Sequence, residues 1–125
     1  MFIPTNLNPL GTHTSDCVVR ALAIAQNQSW EKTYLELCIQ GFKMGDWGSS
    51  NLVWSAYLKD KGFRRYVVPE ECHSCFTVRD FCENYPDGTY ILATGSHVVA
   101  VIDGDYYDTW DSGSEPIIYY WKRVS

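Results

Sequence analysis

The chain has 125 residues and a formal net charge of -5, with ten Lys and Arg against fifteen Asp and Glu. At this length one domain with a real core, residues 1–125, is expected, and a content of 46% hydrophobic and 15% aromatic residues excludes a disordered chain. The acidic balance excludes a general nucleic-acid binder, which needs a concentrated basic surface, and no run approaches the ~18 apolar residues of a membrane span.

Residues 1–14 are rich in Asn, Pro, Thr and Gly, which predicts turns and extended backbone that can cross a cleft. Their first nine residues carry neither a basic leader nor a long apolar core, so no secretory signal is expected. The five cysteines are odd in number and lack a symmetrical framework, which points to reduced thiols in a cytoplasmic protein. Ser15 or Asp16 then caps a helix over residues 17–26, with Val18, Leu22 and Ala25 on one stripe and Cys17, Ala21 and Ile24 on the next.

Ser29 caps a second helix over residues 30–43, bearing Trp30, Tyr34, Leu37 and Cys38 at helical spacing. A loop at residues 44–48 precedes a third helix that starts at Ser49, Ser50 or Asn51 and stops near Lys61-Gly62. Residues 64–68 read as a strand, and Thr77 with Asp80 resembles a capping box for a short helix ending near Asn84. After the Pro86-Asp87-Gly88 turn the period becomes that of strands, at residues 89–94, 97–102, 105–110 and 117–121, with Asp103-Gly104 as a hairpin turn. Helices followed by an antiparallel sheet make an α+β order.

Cys17 stands at the first turn of its helix, where unpaired backbone N–H groups and the positive end of the helix dipole favour thiolate. Alone, such a cysteine reads as one more small apolar core residue. His97 alters that reading: it opens the most hydrophobic strand of the chain, where an isolated polar side chain needs a partner. If Asp103-Gly104 is a two-residue turn, Ile102 pairs with Asp105 and Val99 with Asp108, so His97 and Asp108 become diagonal neighbours on one face while Asp105 and Asp111 point the other way. His97 is then the base for Cys17, and Asp108 the acid that orients the imidazole.

The order Asp16-Cys17 at a helix start, intervening helices, then His97-Val98-Val99-Ala100-Val101 and a strand-borne Asp108 resembles the papain-like cysteine peptidase superfamily, especially its bacteriocin-processing members. Asp16-Cys17-Val18-Val19-Arg20-Ala21, with Gly88-Thr89-Tyr90 and Tyr107-Asp108-Thr109-Trp110-Asp111-Ser112-Gly113, is similar to small papain-fold proteins of bacteria and their phages. The resemblance implies a central Cys-bearing helix on an antiparallel sheet and a Cys17, His97, Asp108 catalytic set. It also implies a peptide or protein substrate, cleaved through a thioester without a cofactor. The family's Gln upstream of the cysteine has no counterpart in Gly11-Thr12-His13-Thr14, so Asn8, or Asn6, is the nearest amide for an oxyanion. The Gly that often follows the nucleophile is Val18.

Other features carry less. Cys72-His73-Ser74-Cys75 has the two-residue spacing of a zinc knuckle with Cys82 as a third thiolate, but a closed site needs four ligands and no second pair follows, so a reduced surface loop is expected and no metal. Arg20, one turn after Cys17, is a candidate for binding an acidic substrate group, for supporting the thiolate, or for a salt bridge to Asp16 or a sheet carboxylate. Trp47 is a candidate for the rim of a substrate cleft, Trp54 reads as rim or core, and residues 111–116 read as a solvated loop. The leading expectation is a cysteine-dependent peptidase or amidase. The alternatives are a transglutaminase-like acyl transferase and a non-catalytic papain-fold protein that binds a host protein or a small ligand in the cleft.

Overall fold

A computed structural model describes residues 1–12, 14–68 and 76–124. The chain runs β1 (Phe2–Pro4), α1 (Cys17–Gln26), α2 (Trp30–Met44), α3 (Asn51–Asp60), β2 (Phe63–Val67), α4 (Val78–Asn84), β3 (Thr89–Ala93), β4 (Val98–Ile102), β5 (Asp105–Asp108) and β6 (Tyr119–Arg123). The six strands form one sheet in the order β1-β5-β4-β3-β6-β2. The α+β class stands, but the sheet is mixed: β1 runs parallel to β5, with Pro4 opposite Asp108, while the other neighbours are antiparallel. Nor do all the helices precede the strands, since β1 and β2 come before α4.

Local chemistry explains most boundaries. Asn27 closes α1 in the left-handed region (φ 53°), its N–H and that of Gln28 returning to the carbonyls of Ile24 and Ala23, the arrangement that satisfies a helix's last acceptors. Ser29 accepts from the Lys32 N–H at 3.1 Å to start α2, and Thr77 and Asp80 exchange bonds in a capping box at the head of α4. Asp103 (φ 50°) and Gly104 (φ 82°) make the two positive-φ positions of a tight hairpin turn, which sets Ile102 opposite Asp105.

Helices cover both faces of the sheet. Val98 and Ala100 pack with Leu22, Leu37 and Trp54 of the first three helices, whereas Val99 and Val101 pack with Val78 and Phe81 of α4. A strand buried on both sides reads as a continuous apolar run rather than an alternating one, and this is why β4 has no polar position between Val98 and Val101. Helix α1 is apolar nearly all round because it is buried along most of its length between α2 and the sheet. Trp54 is core, with 1% exposure, and its indole N–H donates to Asn51 at 3.0 Å. The expected wet loop after β5 is partly interior: Ser112 and Gly113 are buried.

Candidate functional site

Three elements converge where α1 begins. Cys17 is its first residue, His97 is the last residue before β4, and Asp108 ends β5. The turn between β3 and β4 holds the histidine, because the Thr94 N–H donates to the His97 carbonyl at 2.9 Å. Asp108 is held as the last rung of the β1–β5 ladder, with the Thr5 N–H donating to its carbonyl at 2.8 Å.

Cys17, His97 and Asp108 lie side by side. His97 Nε2 is 2.6 Å from Asp108 Oδ2, and the Cys17 thiol is near enough to the imidazole that each shifts the ionisation of the other. With Nε2 taken by the carboxylate, Nδ1 is the ring nitrogen left for sulfur. The Trp110 ring packs against the imidazole, with centroids 4.9 Å apart. Asp108 is 3% exposed and accepts from two further donors, Ser112 Oγ at 2.7 Å and the Thr109 N–H at 2.8 Å, while an Arg20 nitrogen faces it at 3.9 Å as a charge contact.

The electrostatics favour a thiolate facing an imidazolium. Burial opposes ionisation of Cys17, but the hydrogen bond with His97, the Val98 backbone N–H and the charges of His97 and Arg20 outweigh it and hold the thiol below its ordinary value. Burial likewise pulls His97 down, yet its hydrogen bonds to Asp108 and Cys17 and their charges push it up to about 9. By contrast, burial pushes the Cys82 thiol up to about 11. Cys82 is on the buried face of α4 and packs in the core.

The remaining expected residues fall around this line. Asp16 occupies the N-cap position of α1 without a side-chain capping bond. Its carboxylate is instead paired with Arg20 and accepts from Trp30 Nε1 at 2.9 Å and Asn8 Nδ2 at 3.3 Å. The Asn8 amide is therefore directed to Asp16, and Asn8 lines a neighbouring cleft that does not include Cys17. Arg20 is 8% exposed, committed to Asp16 and facing Asp108, which is the salt-bridge alternative rather than a free substrate ligand. Cys72, His73 and Cys75, the zinc-knuckle reading, lie outside the described residues.

Cys17 and His97 open onto solvent on two sides. One side is a cleft of about 590 Å³ walled by Thr12, Thr14, Ser96 and Trp110. The other, of about 360 Å³, is walled by Asn51, Gly95, Val98 and Tyr119. Beyond Ser15 lies a third cleft of about 570 Å³, lined by Pro9, Leu10, Val19, Leu37 and the stacked Trp30 and Tyr34 rings, with Trp47 at its edge. Trp47 is 82% exposed on a loop fastened to α2, since the Asp46 N–H donates to the Gly41 carbonyl at 2.9 Å.

Sequence reasoning missed Ser112 and the backbone donors Thr109 and Val98. None carries a residue-type signal, because a serine in a glycine-containing loop reads as a turn and a backbone N–H is the same in every residue. Among the described residues, no helix is long and apolar enough to cross a membrane. Comparisons with known protein families, with curated proteins and with solved structures return no match.

Proposed function

We propose that the protein is a papain-like cysteine hydrolase, a peptidase or amidase in which Cys17 is the nucleophile, His97 the general base and acid, and Asp108 the residue that orients the imidazole. One observation carries this reading: the His97 ring is hydrogen-bonded to a buried carboxylate and shares its cleft wall with a thiol at a helix start, each shifting the ionisation of the other. A structural histidine needs only one such partner to satisfy it. A ring held between acid and thiol has the geometry that activates a nucleophile.

The chemistry follows from that line. The Cys17 thiolate attacks the substrate carbonyl carbon, and the carbonyl electrons move to oxygen. First-turn N–H groups of α1, which Asp16 leaves without a side-chain cap, are donors for that oxyanion. Collapse breaks the carbon–nitrogen bond, with the His97 proton passing to the leaving amine, and leaves a thioester on Cys17. A water molecule, losing its proton to His97, then attacks the thioester and releases the acid, and the thiolate–imidazolium pair is restored. Asp108 holds the ring in plane and stabilises the imidazolium.

Intact-mass and peptide-mapping measurements with electrophilic peptides and acyl probes test this reading. A single adduct on Cys17, lost in Cys17→Ala and slowed at least tenfold in His97→Ala, is expected. Equal slow labelling of all five thiols would overturn it.

A further inference from the structure

Helix α1 buries one charge that a packing helix does not need. Arg20 is 8% exposed and Asp16 is 7% exposed, within a helix whose other buried positions are Val, Ala and Leu. A buried ion pair is weak evidence for stability, because desolvating both charges offsets their attraction and an apolar pair of equal volume does as well. The expense suggests a second role, and the surroundings of both side chains indicate what it is.

Asp16 is gripped from three sides. Arg20 pairs with Oδ1, while Trp30 Nε1 from α2 and Asn8 Nδ2 from the loop after β1 donate to Oδ2 at 2.9 and 3.3 Å. So anchored, it fixes the guanidinium, whose other nitrogen lies 3.9 Å from Asp108 Oδ1. That is the oxygen of Asp108 not used by His97, which takes Oδ2. Arg20 also lines the same cleft wall as Cys17 and His97, one helical turn from the thiol.

We propose that Asp16 and Arg20 are positioning residues for the Cys17, His97, Asp108 line, with Asp16 fixing one buried positive charge so that it faces both the orienting carboxylate and the thiolate. This rests on the hydrolase reading above. Among the described residues, the charged and titratable groups facing the thiol are Arg20 of α1 and Asp16 at its N-cap, His97 at the head of β4, Asp108 of β5 and the Tyr119 hydroxyl of β6; α2 contributes the neutral Trp30 indole. Arg20 is the group among them that adds positive charge at every working pH. It favours thiolate, and Asp16 tempers it.

This arrangement has a signed consequence that a merely structural ion pair lacks. Cys17 labelling by iodoacetamide, followed from pH 5 to 9 by mass spectrometry of the Cys17 peptide, reports the thiolate fraction. Removing both charges in Asp16→Asn with Arg20→Met is expected to slow labelling at pH 6 by about threefold to tenfold, since a nearby opposite charge is worth up to a few tenfold steps in ionisation. Asp16→Asn alone keeps a side-chain oxygen to hold the guanidinium but removes the negative charge, so Arg20 stays in place untempered and labelling at pH 6 is expected to speed. Arg20→Lys, which keeps the charge and loses the fork, is expected to retain most of the wild-type labelling rate at pH 6.

Opposite displacements of the two Asp16→Asn variants establish the positioning role. Profiles that coincide with the wild type, or that move the same way, overturn it. If the double variant does not give a native circular dichroism spectrum, the direction of the Asp16→Asn profile decides. A wild-type Cys17 with no labelling advantage below pH 7 sinks the hydrolase reading itself, whereas a wild-type advantage that no variant moves sinks only the role of Asp16 and Arg20.

Discussion

His97 Nε2 stands 2.6 Å from Asp108 Oδ2, joining a residue that precedes β4 to the last residue of β5 across a hairpin whose turn is Asp103-Gly104. The same carboxylate oxygen accepts from Ser112. The imidazole is thus held by a group that is itself held, which leaves its other face directed at Cys17.

Hydrolysis is expected to follow a bell in pH. Its acid limb marks formation of the Cys17 thiolate, below the ordinary thiol range. Its alkaline limb marks loss of the imidazolium near pH 9. Stability is linked to the same groups. The His97 contribution is complete below about pH 6.5 and is lost as pH rises through about 9. The Cys17 contribution is complete above about pH 8.5 and is lost as pH falls through its lowered value. Steady-state rates and urea midpoints across pH 4–10 check both; a single-limbed rate profile with no fall above pH 9 counts against the ion pair.

Asp108→Asn keeps the shape of the side chain and removes its charge, so His97 loses much of what raises it. Turnover is expected to drop by about 10²- to 10⁴-fold, as when an orienting acid is lost. The histidine titration, followed by nuclear magnetic resonance, moves down from about 9. An unchanged His97 titration excludes Asp108 as the orienting group.

Ser112→Ala removes a hydrogen bond to a buried carboxylate and is expected to cost about 1.5–3 kcal/mol in a denaturant titration. The effect on turnover is smaller than that of Asp108→Asn, because the Thr109 N–H and His97 still hold Asp108. Equal losses of turnover in the two variants would contradict this division of labour.

Thiol reactivity is expected to separate the described cysteines in the native protein. Cys82 is buried, with its thiol pushed up to about 11, and stays unlabelled by iodoacetamide at pH 7.5. Cys38 is exposed and labels slowly, while Cys17 labels first. Peptide mapping after short exposures gives the order, and early labelling of Cys82 contradicts its packing.

Gly41→Ala is expected to destabilise the chain by about 1–3 kcal/mol, because a Cβ there would stand 2.5 Å from the Asp46 carbonyl oxygen. That contact fastens the Trp47 loop to α2. Displacing it changes Trp47 fluorescence and leaves the Cys17 labelling profile as it is. A wild-type melting curve for this variant shows that the loop gives way freely.

The chain order of residue types determines the short-range structure. Helix α1 occupies residues 17–26, as its apolar stripe and following turn specify; Thr77 and Asp80 form their capping box; and Asp103-Gly104 sets the β4–β5 register that brings Asp108 toward His97. Each is decided by residues within a few positions of one another, where capping, periodicity and turn chemistry act. Strand β1 was not legible in this way. Its three residues pair in parallel with β5, about a hundred positions away, and a segment so short carries no periodic signal. For the same reason only the tertiary structure decided that Asn8 and Trp30 would hold Asp16, that Arg20, besides its local pairing with Asp16, would face Asp108, and that Ser112 would support Asp108. A hydrogen bond between distant segments depends on how helices dock against the sheet, and docking is selected by burial over the whole core rather than by any local pattern.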